Sequence, residues 1–269
     1  MLPADAGKAA AAPASSRSRW PLAAGAAALL ALCIFGMLAW GSGYLLPRNY
    51  TFHHIAPPAG GGVELYALAV KPEHIELRAA DRPLRDYRVY GLNGGFFYQS
   101  SVLSIAVNND MPVKGRAGEY GSGWFNAKYP RGTLVWDEAA GRFSVQVVSA
   151  ADELEVTDRG RYFAQGGVSM NLGDEAGWEA AMLREHLPYP NERRLRSGLV
   201  YDDTGLLWLV ATGDRCTAAE FRAAVAAGIA PGTAKEGVFL DGDGSAQLKA
   251  AEHSLYGDSR DLQQIIVIR

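Results

Sequence analysis

Cysteine is nearly absent from the chain: Cys33 and Cys216 are the only two in 269 residues. They fall in segments that cannot share a compartment if the apolar run described below spans a membrane, which excludes an intrachain disulfide. Neither belongs to a Cys-x-x-Cys pair or has a neighbouring histidine, so Cys216 reads as a small buried hydrophobe. His53 and His54 are adjacent, and His74, His186 and His253 have no ligand spacing with a cysteine or another histidine. Solvated or packed histidine is therefore expected, and no metal. No basic cluster follows the amino terminus and the net charge is only −3, which removes nucleic acid as a partner. The Gly-x-Ser-x-Gly elbow and the P-loop are missing, and with them the serine hydrolase and nucleotide-binding classes. No internal repeat is present.

What is there is a chain with 48% hydrophobic residues, long enough for one large domain or two small ones. Residues 1–19 are rich in Ala, Ser and Pro without apolar period and read as a disordered cytoplasmic tail. Residues 20–47 carry no charge, and Leu22 through Leu46 is Ala/Leu-rich with Trp20, Trp40 and Tyr44 near its ends. A bilayer core needs about 20 apolar residues in a helix, so this run is long enough to span, and it exceeds the apolar core of about 7–15 residues in a cleaved signal peptide. Lys8, Arg17 and Arg19 precede it and only Arg48 follows closely, which orients the amino terminus to the cytoplasm. The expectation is a single-pass signal anchor in the inner membrane, a linker over 48–62 with the tether Pro57 to Gly62, and a periplasmic or otherwise extracytoplasmic domain over 63–269.

Within that domain Val63 to Val70 and His74 to Ala80 alternate apolar and polar residues and predict a hairpin across Lys71-Pro72-Glu73. Asp86 to Leu92 predicts a strand entering Asn93-Gly94-Gly95-Phe96-Phe97, and Thr133 to Trp136 with Arg142 to Val148 a second hairpin. Arg161 to Ala164 predicts a strand entering Gln165-Gly166-Gly167. Asp174 is the expected N-cap of a helix reaching His186. Leu195 to Tyr201 and Leu206 to Ala211 form another hairpin, and Thr217-Ala218-Ala219-Glu220 is a capping box opening a helix to Ala227. The strand Val238 to Leu240 then breaks into Asp241-Gly242-Asp243-Gly244-Ser245, and Gln264 to Ile268 predicts a closing strand. Many strands before the first helix argue for an α+β fold with mixed, largely antiparallel sheet and a few packed helices.

Five of these pieces, in this order, resemble the phosphodiester glycosidase domain family: Asn93-Gly94-Gly95-Phe96-Phe97, Gln165-Gly166-Gly167, Arg196-Ser197-Gly198-Leu199-Val200, the capped helix, and Leu240-Asp241-Gly242-Asp243-Gly244-Ser245. The resemblance covers about Val63 to Arg269. It implies hydrolysis of a sugar-1-phosphodiester, with a carbohydrate phosphodiester as partner and no cofactor. The chain departs from the family at Asp243, which stands where relatives have glycine, at Ala246 after a single Ser245, at Ser197 in the arginine motif and at Val168 after the middle one. An extra carboxylate beside a phosphate would repel it unless Asp243 points away, is protonated or binds a cation.

A phosphodiester leaves as a stable anion, so its hydrolysis calls for a base or nucleophile, a cation for the phosphate and hydrogen bonds to the sugar. On that logic the catalytic candidates are Asp241 as base or stabiliser of an oxocarbenium-like centre, Arg196 as phosphate clamp and Asn93 as a donor at the pocket rim. Gly94, Gln165, Gly242, Asp243, Gly244 and Ser245 are the substrate-binding candidates. From the residues alone, a capping asparagine, a strand arginine in a surface ion pair and a tight turn remain open for Asn93, Arg196 and the Asp241 loop. Asp241, Asp243, Ser245 and Glu252 also take the first, third, fifth and twelfth places of an EF-hand-like loop, but Ala246 occupies the glycine position. The competing reading of the whole chain is a catalytically reduced module of the same fold that binds glycan or serves envelope assembly.

Overall fold

A computed structural model describes residues 20–41, 46–57 and 61–269. The expected tail over 1–19 and part of the Pro/Gly tether lie outside the described residues. The chain divides into two compact units, Met1–Leu45 and Leu46–Arg269. In the first, a helix runs Trp20–Gly41. Among the described residues no helix is long and apolar enough to cross a membrane, and residues 42–45 of the expected span lie outside them.

Among the described residues the second unit is built on three large sheets, with a two-stranded one at Phe97–Tyr98 and Ser101–Val102. The six-stranded one runs in the order Tyr50–Ile55, Leu65–Val70, Leu207–Ala211, Ser197–Asp202, Lys235–Phe239 and Val168–Ser169. One five-stranded sheet is centred on Arg131–Asp137 and Tyr162–Gly166, the other on Tyr90–Asn93 and Gln264–Ile268. Every ladder between these strands is antiparallel, within an α+β arrangement. The inner strands of the six-stranded sheet are apolar on both faces because both are covered. On one side Leu65, Ala67, Val210 and Phe239 meet Phe221 and Val225 of the helix Ala218–Gly228 and Trp178 and Met182 of the helix Trp178–Arg184. On the other, Leu68, Leu199, Leu209 and Val238 pack with Leu92, Leu134 and Ile266 from the two other sheets.

Four expectations need correction. Leu65–Val70 and Ile75–Ala79 form no hairpin: Pro72 opens a 3-10 turn between them, and they enter different sheets, pairing with Tyr50–Ile55 and Gln264–Ile268. Tyr50–Ile55 is an edge strand, so the folded unit starts well before Val63 and the linker expected over 48–62 is shorter. The strand placed over Asp86 to Leu92 shortens to Tyr90–Asn93 behind a 3-10 turn at Leu84–Asp86. The first short helix starts at Trp178 with Gly177 as N-cap, while Asp174 closes the preceding turn by accepting from Gly177 N–H at 2.9 Å.

The capping box is formed as expected: Glu220 N–H donates to Thr217 Oγ1 at 3.2 Å and Thr217 N–H donates to Glu220 Oε2 at 2.8 Å. Replacing Thr217 with Ala removes the acceptor of the Glu220 amide, for an expected loss of about 1 kcal/mol in chemical denaturation.

Candidate functional site

The loop leaving strand Lys235–Phe239 carries Asp241 into a cleft of about 160 Å³, whose lining includes Phe96, Tyr189, Arg194, Arg196, Asp243 and Arg260. The peptide of Asp241 is held from two sheets. Its N–H donates to Gly94 O at 3.3 Å, and its carbonyl accepts from Asn93 Nδ2 at 2.8 Å and Ser197 Oγ at 2.9 Å. Asn93 also donates to Gly94 O at 3.0 Å and accepts from Gln247 N–H at 3.2 Å. Both of its amide protons are committed to carbonyls, so this buried side chain fastens the loop from beneath and does not stand at the rim as expected.

Burial pushes the Asp241 carboxyl up to about 7. The Ser245 hydroxyl, Arg260 and the Gly242 amide pull the other way without offsetting the burial, and Asp243 adds to the rise. Ser245 Oγ is itself buried, close enough to the Asp241 carboxyl to lower it without reaching full hydrogen-bond geometry. The Ser245 amide donates to Gly242 O at 3.1 Å, closing the 3-10 turn Asp243–Ser245. Gly94 and Gly244 stand in close approach, the first against a buried glutamine and the second beneath an exposed ion pair that can shift. A Cβ at the first would collide with Gln264 Oε1, and one at the second with the side chains of Asp258 and Arg260.

Asp243 sits in the left-handed region at φ 51° and turns its carboxylate to Arg194 Nη1 at 2.5 Å and Arg215 Nη1 at 3.5 Å. The carboxylate that the sequence set against a phosphate is thus neutralised by arginine. This also overturns the calcium-loop alternative, since Glu252 bonds Tyr50 at 3.0 Å and pairs with Arg48 at 3.4 Å.

Arg196 is where the geometry differs most from expectation. Its Nη2 donates to Tyr189 O at 2.7 Å and Glu192 O at 2.9 Å, and its Nε to Cys216 O at 3.3 Å. Nη1 reaches Pro188 O at 3.5 Å. The guanidinium is spent on main-chain carbonyls, which suits a buried fastener of the cleft wall and not a phosphate clamp. Arg131 does the same further back, donating to Glu185 O at 2.9 Å and His186 O at 3.2 Å with its guanidinium 4.8 Å from the Phe96 ring centre. Gln165 is buried but not among the cleft-lining residues; its Nε2 donates to Gly166 O at 2.9 Å and its Oε1 has no partner.

Sequence reasoning missed Arg194, Arg260 and Glu185. Arg260 pairs with Asp258 at 2.5 Å at the cleft mouth. Glu185, fully buried, accepts from Gly132 N–H and Ser169 N–H at 2.8 Å each, leaving Oε1 open. None of the three lies in a Gly-rich motif. Cys216 is buried as expected, and burial raises its thiol to about 11.

An aspartate whose folded pKa lies above its unfolded one stabilises the fold least when ionised. Stability therefore falls as pH rises from about 4 to about 7 and is flat above. Asp241→Asn removes this titration, and above pH 7 the variant is expected to be more stable than the parent chain by on the order of 4 kcal/mol. Denaturation midpoints at pH 5 and pH 8 check it; parallel pH dependence in the two proteins would contradict the burial of the carboxyl.

No family model and no curated protein matches the sequence. Among solved structures, the catalytic domain of a zebrafish N-acetylglucosamine-1-phosphodiester alpha-N-acetylglucosaminidase, auto-inhibited by its pro-peptide, matches 84% of this chain over 84% of its own, with a TM-score of 0.57 and 13% identity. A hypothetical protein from Synechocystis matches 82% of this chain over 62% of its own, with a TM-score of 0.51 and 13% identity. At that identity the likeness shows a shared fold, one that in the zebrafish protein carries a phosphodiester glycosidase.

Proposed function

We propose that the chain is a hydrolase that cleaves a sugar-1-phosphodiester, between the anomeric carbon and the phosphate, in a glycan or glycolipid. The observation that carries this reading is the charge arrangement of the cleft. One desolvated carboxyl, Asp241, stands among arginines, while the second carboxylate, Asp243, is taken by Arg194 and Arg215. An ordinary glycosidase needs two working carboxyls, because one must protonate a poor leaving group. A phosphodiester departs as an anion, so a single carboxyl in cationic surroundings suffices. With its pKa raised to about 7, the Asp241 carboxyl changes charge in the neutral range instead of the acidic one. Its ionised form takes a proton from the attacking water or stabilises positive charge at the anomeric carbon. The fold shared with the zebrafish catalytic domain supports the reading.

A second reading, a glycan-binding or envelope-assembly module without turnover, is favoured by one specific fact: Asn93 and Arg196 commit their polar atoms to the main chain. The discriminating substrate is an aryl phosphodiester of N-acetylglucosamine 1-phosphate, with release of free sugar as the readout. The expected result is turnover whose kcat/KM rises with pH to a plateau above about 7, and a loss of about 10²–10⁴-fold in Asp241→Asn. Binding without turnover would establish the second reading instead.

For the amino-terminal segment the proposal is an uncleaved inner-membrane anchor with the folded unit outside, supported by the charge-free run over 20–47 and the cations ahead of it. Protease added to intact spheroplasts is expected to degrade the unit Leu46–Arg269; its full survival would refute this orientation.

A further inference from the structure

The cleft holds several arginines, and they differ in how they are occupied. Arg196 is committed to four carbonyls, and Arg194 is shared between Asp243, Glu192 and the Tyr189 ring. Arg260 has a single acidic partner, Asp258, two residues away. Its Nε meets Asp258 Oδ1 at 3.0 Å, its Nη2 meets Oδ2 at 2.5 Å, and Nη1 makes no hydrogen bond among the described residues. Both side chains are about half exposed, at 46% and 51%. An exposed pair of this kind is weak and exchanges readily.

The backbone beneath the pair is firmly placed. Asp258 N–H donates to Gly244 O at 3.1 Å, and Gln247 Nε2 donates to Arg260 O at 2.9 Å. Gly244 has no Cβ to obstruct the pair, and Gly257, at φ +55°, brings its own main chain against that of Gly244. A fixed backbone thus presents a loosely held guanidinium to the cleft that contains Asp241.

We propose that Arg260 is the anion-binding residue of the cleft and that Asp258 occupies its fork until a phosphate group displaces it. The planar fork that now holds a carboxylate on two nitrogens fits two phosphate oxygens equally well. The choice of phosphate as the anion rests on the function proposed above; the exchangeable pair does not.

Calorimetry on the full chain tests this with N-acetylglucosamine 1-phosphate, inorganic phosphate and uncharged N-acetylglucosamine. Arg260→Gln is expected to weaken the phosphorylated sugar by about tenfold or more, the worth of a charged hydrogen bond, and to leave the uncharged sugar unchanged. Asp258→Asn frees the fork and is expected to tighten the phosphorylated sugar by up to about fivefold, the strength of an exposed pair. The double variant should match Arg260→Gln alone, because Asp258 acts only through Arg260. Arg260→Lys, which keeps the charge and loses the fork, should fall between Arg260→Gln and the parent, and covers the case of a poorly folded Gln variant. Parental affinity in Arg260→Gln, equal weakening in Asp258→Asn, or no binding of either phosphate probe by the parent chain would overturn the proposal. Binding by the parent without turnover of the aryl phosphodiester would refute hydrolysis and leave the anion site standing.

Discussion

The peptide of Asp241 is the point on which the cleft depends. Asn93 ends a strand of one five-stranded sheet, Ser197 begins a strand of the six-stranded sheet, and both donate to the same carbonyl. The amide of Asp241 completes the clasp by donating to Gly94 O. A loop of Gly, Asp and Ser left to itself would turn its carboxylates to water. Held from two sheets, it turns Asp241 into the cleft while Asp243 stays partly exposed, and the desolvation that raises the Asp241 carboxyl follows from that placement.

The charges around the loop follow a consistent division. Asp243 has Arg194 and Arg215, Asp258 has Arg260, and Glu192 shares Arg194. Asp241 alone among these carboxyls has no arginine in direct contact, and it alone shifts far upward. The arginines still lower the cost of bringing an anion into the cleft, which a ring of unpaired carboxylates would forbid.

Much of this was legible in the chain. The capping box, the hairpin of Ser197–Asp202 with Leu207–Ala211, the closing strand and the loop at Asp241 all rest on local signals that the fold respects. What failed was non-local. Alternation marked Leu65–Val70 and Ile75–Ala79 as strands but carried no information on which sheet each would join. Sequence also names an arginine without saying what it will face. Both line the cleft, but Arg196, inside a motif, is taken up by carbonyls, whereas Arg260, in an unremarked tail loop, has one acidic partner. Asp243 looked like an obstacle only because Arg194 and Arg215 are distant in sequence from it.

The wall over Glu185 to Glu192 has a property that its route through Pro188 and Pro190 conceals. Two buried arginines, Arg131 and Arg196, hold it by five of its main-chain carbonyls, and none of those bonds involves a side chain of the wall. Its path is therefore written in residues that lie elsewhere in the chain. Exposed side chains such as Tyr189 can be exchanged without removing the bonds that hold the wall's backbone, so the shape of the cleft and the chemical character of its inner surface are separable quantities.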